Sequence, residues 1–460
     1  MIRSYTKGLV TAVIALASAG ATFAQFTLEG QYRPRLELRN GFKTPINENT
    51  NPAAFVEHRA KLTAGYSEEK LGFKMSVQDI RIWGETGQIN KSDYLLSTHE
   101  AYGEYKPSTK STFRIGRQEM AYDGHRLIGT LGWAAQARSF DAVKYMYADT
   151  SGNALDVMVS WNQTGLGESA PEPAKLTGTY YATANGGGTT RIFNLGLPKS
   201  QQMLYYKKKL SSGTVGIMLL NDIFDAGNDT THYSQFTAGV TPDFKFGDFK
   251  VGGQFYYTGG AAGKTLDTID NKYNTTKLGG FMFNLTVQHT GLSFKPLIGV
   301  DYLSGDDKST ADKVEGWSPS YGTNHKFYGF MDYFYVGNGH GGGNAASAGL
   351  MDIYLKTTFK TGEKSKLLAH VHYFASTAER TGDYDADGNT EAYKGGLGTE
   401  IDLVYVQPLA PGVVLKAGYS QMFGTTDTMG VLKGYDKNTK KQGLQSWAWV
   451  MMDFTPKFLK

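Results

Sequence analysis

The stretch FTLEGQYRPRLELR, residues 26–39, holds five charges in fourteen positions, yet every second residue is apolar or small. Phe26, Leu28, Gly30, Tyr32, Pro34, Leu36 and Leu38 fall on one side. Thr27, Glu29, Gln31, Arg33, Arg35, Glu37 and Arg39 fall on the other. A period of two describes an extended strand with two unlike faces.

The pattern recurs along the chain. Residues 55–66 set Val56, His58, Ala60, Leu62, Ala64 and Tyr66 against Glu57, Arg59, Lys61 and Thr63. Residues 71–78 follow, then segments near 97–106, 111–118, 139–147, 154–161, 202–210, 214–224, 233–242, 249–258, 278–289, 292–303, 350–359, 366–375, 397–407, 413–423 and 446–455. That makes eighteen candidate strands, none with the apolar spacing of a long amphipathic helix. Their connections alternate. Tight turns at 67–70, 107–110, 148–153, 211–213, 243–248, 290–291, 361–365 and 410–412 separate long polar stretches, among them 119–138, 162–201, 259–277 and 304–349. Short turns at one end and long loops at the other describe an all-β, up-and-down antiparallel transmembrane barrel. A propeller would show a shared motif about every 40 residues, and none is found. A sandwich has no reason to segregate its loop lengths. FYGFMDYFYV at 327–336 reads as part of the 304–349 loop, folded inward, because counting it as a strand breaks the alternation. Eighteen strands leave an aqueous lumen. Trp161, Tyr205, Tyr256, Tyr302, Tyr354, Tyr405 and Trp447, near strand ends, are expected in the interfacial girdles.

Composition agrees. The 460 residues include 29 Tyr, 25 Phe and 6 Trp, with 20% charged residues and mean hydropathy −0.37, which excludes disorder. Beyond the N-terminus no apolar run reaches the roughly 18 residues of a membrane helix. Residues 1–24 read as an export signal, with Arg3 and Lys7, the short apolar core GLVTAVIALASAGA, and small residues Thr22 and Ala24 before Gln25. The expected organisation is therefore a signal peptide over 1–24 and a barrel over 25–460, in the outer membrane of a Gram-negative bacterium. Removing Arg3 and Lys7 from 47 basic residues leaves 45 against 43 acidic, a net charge of about +2 and no footprint for nucleic acid. Cysteine is absent, which excludes disulfides and thiol chemistry.

The wet face of each strand is then the pore wall. Eleven arginines follow the signal, and nine precede residue 140. Guanidinium grips carboxylates and phosphates through two parallel hydrogen bonds, and a water-facing cluster lowers the barrier to anions. Arg33, Arg35, Arg59, Lys61, Arg114, Arg117, Arg126 and Arg138 are the candidate pore-lining, anion-selective residues. Glu29, Glu37, Glu57, Glu100, Glu104 and Glu119 share the region, so cross-strand Arg–Glu ladders are the competing structural role. DYDADGNTE at 383–391 has the D-x-D-x-D-G form of a calcium loop through Asp383, Asp385 and Asp387, although Lys394 stands where a glutamate ligand belongs. His370 and His372 share a strand face, but spacing supplies no third metal ligand, and two polar lumen residues is the default. No Ser/His/Asp trio can be assembled, so catalysis is not expected. Apart from calcium at that loop, no cofactor is implied.

EAYGEY at 100–105, GRQEMAYDGHRLIG at 116–129, Trp133, RSFDAV at 138–143, NHKFYGFMDYF at 324–334 and GLMD at 349–352 together resemble the alginate export family of outer-membrane proteins. The resemblance implies a monomeric eighteen-stranded barrel with a constricted, arginine-lined pore, passing polyuronate in some members. Arg117, Arg126 and Arg138 fall in its most distinctive motif. This chain departs from the family in its near-neutral charge. The expected function is a passive channel for an anionic saccharide such as alginate, or for a small organic anion. A nonspecific general porin and a non-conducting surface-binding barrel are the alternatives.

Overall fold

The computed structural model describes residues 25–43, 45–46, 49–89, 96–162, 198–225, 231–267, 272–307, 309–334, 348–383, 390–425 and 443–459. The export signal over 1–24, most of the 162–201 loop, and Asp385 and Asp387 lie outside them. The strands are β1 (Gln25–Asn40), β2 (Ala53–Ser67), β3 (Leu71–Ile82), β4 (Leu96–Ser108), β5 (Ser111–Gln118), β6 (Phe140–Ala148), β7 (Ala154–Trp161), β8 (Ser200–Lys209), β9 (Gly213–Asp225), β10 (His232–Phe246) and β11 (Phe249–Asp267). They continue with β12 (Lys272–His289), β13 (Leu297–Leu303), β14 (Lys313–Val314), β15 (Leu350–Lys360), β16 (Lys366–Ala375), β17 (Arg380–Asp383), β18 (Thr390–Tyr393), β19 (Gly396–Ala410), β20 (Val413–Gly424), β21 (Gln445–Phe454) and β22 (Lys457–Leu459).

Setting aside the short β14, β17, β18 and β22, the other eighteen pair antiparallel in sequence order. The last returns to the first, from Tyr32↔Phe454 to Asn40↔Ser446, which closes the barrel and leaves its wall without a free edge. Beyond Phe454 the chain pairs again with β1, Leu28 opposite Leu459, which adds to the closure.

The alternation is turned inside out relative to a soluble sheet. In β15, Ile353 and Leu355 are exposed while Asp352 and Tyr354 are buried. In β1, Leu36 and Leu38 point out and Arg33, Arg35 and Glu37 point in. Aliphatic groups outward and polar groups inward suit lipid outside and water or protein inside, which excludes the sandwich; the barrel belongs to the outer membrane.

Two sequence expectations change. Within the 259–277 stretch, residues 259–267 and 272–277 are strand and not loop: β11 and β12 pair up to Asp267 and Lys272, because their tips carry Thr, Lys and Asn residues that tolerate water on both faces. Tyr205, Tyr256, Tyr354 and Trp447 are buried on the inner side and do not belong to a girdle, whereas Trp161 is exposed. Packing explains the reversal. Tyr256 lies across Gly239, Tyr354 across Gly299 and Trp449 across Gly418, each glycine being the aromatic residue's direct cross-strand partner. A Cβ there would overlap the ring.

The lumen is not open throughout. Residues 119–139, between β5 and β6, and residues 315–334, between β13 and β15, both enter the barrel. Leu127, Ile128, Tyr328, Met331, Tyr333 and Phe334 are buried there against inward Met282, Phe374, Met422 and Trp447, a second hydrophobic core inside the wall. The inward fold of residues 315–334 agrees with the sequence reading of the 304–349 loop, and 327–334 form no strand. Leu131, Ala137, Tyr328 and Asp332 adopt left-handed backbone conformations, with φ of 52°, 54°, 53° and 56°. For side-chain-bearing residues this costs about 1–2 kcal/mol each, so surrounding contacts must hold the two loops in place.

Candidate functional site

The two loops meet first through their backbones. Ile128 and Tyr321 form a parallel bridge, Gly129 N donates to Tyr321 O at 2.8 Å, and Thr323 N donates to His125 O at 2.9 Å. The result is a septum across the lumen.

The wall grips this septum with arginine. Arg33 donates to the carbonyls of Gly132 (2.7 Å) and Trp133 (2.9 Å). Arg35 donates to Trp133 O at 2.9 Å and lies over the Trp133 ring at 4.2 Å, while Glu37 and Glu57 each accept from it at 2.7 Å. Arg59 reaches Ala135 O at 3.2 Å, and Gln78 reaches Gln136 O at 2.9 Å. Trp133 stacks on His325 of the second loop and meets Trp447 and Trp449 edge-on. On the opposite wall, Arg126 forks onto Asp301 at 2.8 and 3.1 Å, donates to Gln254 at 3.0 Å and covers Phe327 at 3.7 Å. Arg138 donates to the carbonyls of Tyr321 and Gly322 at the seam between the loops.

The sequence-predicted residues therefore separate into two groups. Arg33, Arg35, Arg59, Arg126 and Arg138 all face inward, with guanidinium groups that hold loop backbone or a buried carboxylate. Arg114, Arg117 and Lys61 lie on the β2–β6 wall with the neighbouring Lys74. There Arg114 pairs with Glu104 (2.7 Å), Arg117 with Asp141 (2.7 Å), Lys74 with Glu100 (2.6 Å) and His99 with Glu119 (2.7 Å). Lys61, half-buried, makes no hydrogen bond or ion pair among the described residues; its charged neighbours are Arg59, Glu119, Glu100 and Lys74. Asp383 ends β17 opposite Thr390, apart from these groups in the sheet order.

A chamber lies on each side of the septum. One of about 400 Å³, at the long-loop ends of the strands, is lined by His99, Arg117, Gln136, Arg138 and Asp141 among others. The other, about 610 Å³, opens toward the short turns and carries Arg126, Lys207, Lys326 and Lys356 against Asp123 and Asp243. Asp243 is answered by Lys250 at 2.9 Å. Asp123 accepts from the Tyr205 hydroxyl at 2.7 Å, and burial pushes its carboxyl above the usual range. Lys326 donates to Gly124 O at 3.1 Å, and burial together with nearby Arg126 pushes its ammonium down. The chamber is net cationic. Sequence reasoning missed Lys207 and Lys356, which follow Tyr205 and Tyr354 by two residues and share their inward face. Placing those aromatic residues in the lumen would have revealed both lysines.

A family model described as alginate export matches residues 24–161, which span β1–β7 and the first septum loop. No curated protein sequence matches the chain. Among solved structures, OccK8 (OprE) of Pseudomonas aeruginosa is similar at 9% identity and TM-score 0.54, covering 95% of this chain and 98% of that one. OccAB1 of Acinetobacter baumannii is similar at 10% identity and TM-score 0.55, covering 94% and 97%. A BenF-like porin from Pseudomonas fluorescens Pf-5 is similar at 11% identity and TM-score 0.55, covering 95% and 99%. The chain is thus a channel-like outer-membrane barrel that shares its fold with these proteins over its length and resembles the alginate export family over residues 24–161.

Proposed function

We propose that the protein is a passive channel for a small anionic saccharide or organic anion, a uronate oligomer being the saccharide best suited to it. The observation that carries this reading is the distribution of unbalanced cations. The paired ladder of the β2–β6 wall leaves Lys61 outside any ion pair, with Glu119 and Glu100 as its neighbouring carboxylates, and the lower chamber, with Arg126 on Asp301 and Asp243 on Lys250, keeps Lys207, Lys326 and Lys356 against Asp123. Cationic groups in a narrow, low-dielectric lumen lower the electrostatic barrier for anions and raise their local concentration. The buried arginines contribute indirectly, by fixing the septum that narrows the passage. The family match over β1–β7 supports a saccharide carboxylate as the recognised group.

Reversal potential in a planar bilayer under a salt gradient tests the proposal. Wild-type protein should prefer anions, Lys61→Glu should move the potential toward cation preference, and glucuronate or mannuronate oligomers should block more strongly than neutral glucans of equal length. High conductance without ion preference would identify a general porin. A barrel that carries no current would be a surface-binding protein. Either result refutes the proposal.

A further inference from the structure

Along the wall formed by β15, β16, β19 and β20, four strands place their inward side chains in direct register. Asp352 and Tyr354 of β15 face Phe374 and His372 of β16; His370 and His372 face Asp402 and Glu400 of β19; Asp402 faces Ser420 of β20. Asp352, His372, Glu400 and Asp402 are almost completely buried, while His370 retains partial access to the lumen beside Phe330 of the septum.

Their hydrogen bonds leave a defined deficit. His372 Nδ1 is 2.9 Å from both oxygens of Asp352; with the ring proton on Nδ1, Nε2 is a bare lone pair 3.9 Å from Asp402 Oδ2. That Nε2 has no hydrogen-bond partner among the described residues. Neither does His370 Nδ1, Glu400 Oε2 or Asp402 Oδ2, all buried. The remaining oxygens are engaged: Met331 N donates to Glu400 Oε1 at 2.8 Å, and Ser420 Oγ to Asp402 Oδ1 at 2.5 Å. One donor atom each from His370, His372 and Asp402 lies within 4.8 Å of the other two. Orphaned buried acceptors cost about 1–3 kcal/mol each, and here several converge on one point.

Charge points the same way. Asp352, Glu400 and Asp402 contribute three carboxylates, and among the described residues the neighbouring cation is Lys356, since Arg126 is spent on Asp301. A divalent cation would take the place of the protons that such buried carboxylates otherwise hold, and would balance their charge.

We propose that His370, His372 and Asp402 bind one divalent transition-metal ion of the zinc class inside the barrel, with Glu400 as a fourth oxygen ligand and Asp352 orienting His372. Two imidazoles and a carboxylate suit zinc, nickel or cobalt and do not suit calcium or magnesium. Tetrahedral bonds of about 2.1 Å separate ligand atoms by roughly 3.4 Å, so binding draws the three groups together by about an ångström. The Asp352–His372 pair supplies the outer-shell carboxylate that metal-bound histidines use to fix tautomer and ring plane. An ion there would tie β16 to β19 and, through Glu400 and Met331, to the septum. The proposal does not rest on the solute reading.

Full-length barrel refolded in detergent, stripped with chelator and titrated with Co²⁺, tests this without any transport measurement. One equivalent should bind with visible d–d absorption and be displaced by one equivalent of Zn²⁺. His372→Gln and Asp402→Asn should each abolish the absorption, Asp352→Asn should weaken affinity about 10–100-fold, and His289→Gln, at a distant turn, should leave it unchanged. His370→Gln, at the partly exposed ligand, provides a variant that spares the buried pair. A wild-type barrel that stays colourless, or folded variants that titrate as wild type does, would overturn the assignment.

Discussion

Replacing Arg126 with methionine isolates what holds the septum down. Arg126 is 2% exposed and its partner Asp301 1% exposed, joined by two hydrogen bonds of 2.8 and 3.1 Å. Removing one member of such a pair strands the other as an uncompensated buried charge, at a cost of about 3–5 kcal/mol. Because Arg126 belongs to the 119–139 loop and Asp301 to the wall, the cost falls on loop docking and not on barrel closure. With tenfold per 1.4 kcal/mol, the docked-to-released ratio falls by roughly 10² to 4 × 10³. Single-channel recording reads this as larger or more frequent open states, while heat-modifiable gel mobility, which reports barrel closure, stays as in wild type. Arg126→Met with Asp301→Asn should recover most of the loss, since Asn284 remains beside position 301 and no charge is left stranded. Arg117→Met is the control. Arg117–Asp141 is equally short at 2.7 Å, but with side chains 41% and 60% exposed it should contribute no more than about 1 kcal/mol. If Arg126→Met conducts as wild type does, or the double variant is no closer to wild type than the single, then this ion pair does not anchor the septum.

Gly418→Leu should displace Trp449 from its seat across β20 and thereby withdraw the edge contact beneath Trp133, raising the open fraction with the barrel still closed; unchanged gating would show that Trp449 does not support the loop. Glu119 gives a pH signature. Burial pushes its carboxyl up, but the hydrogen bond from His99 and nearby Lys61 and Lys74 prevail and hold it below the ordinary 4.5. A lowered folded-state value means that its stabilisation is complete above 4.5 and is lost as pH falls through the depressed value. Wild-type conductance should therefore rise on acidification below about 4.5, and Glu119→Gln should flatten the change in that window; a variant that keeps the wild-type pH profile would remove Glu119 from the account.

Strand number, strand phase and the position of the short turns were legible because each depends on local period and turn composition. FTLEGQYRPRLELR states its two faces without help from the rest of the chain, and β1 buries the face that carries Arg33 and Arg35. The girdle assignment failed at Tyr205, Tyr256, Tyr354 and Trp447 for a nonlocal reason. Whether an aromatic residue faces lipid or lumen follows from strand phase, but the room for its ring comes from a glycine on another strand, and only the register brings Gly239 to Tyr256 or Gly299 to Tyr354. The same limit applies to the ligand cluster. His370 and His372 could be placed on one face, whereas Asp402 and Glu400 arrive by pairing across the 376–395 connection.

The arginines carry the larger lesson about charge in a lumen. An inward arginine reads as an anion-selective group when water is its only partner. Here loop backbone supplies carbonyl acceptors, and five guanidinium groups bind the chain itself. Lysine behaves differently for a physical reason: its ammonium is a point charge on a flexible stem, without a planar fork to clamp a peptide group. Lys61, Lys207, Lys326 and Lys356 remain as cations bordering the aqueous spaces, outside the ion pairs of the wall. The rigid cations build the constriction and the flexible ones set its potential, so substituting lysines should change ion preference with little change in pore size. Substituting the buried arginines should do the reverse.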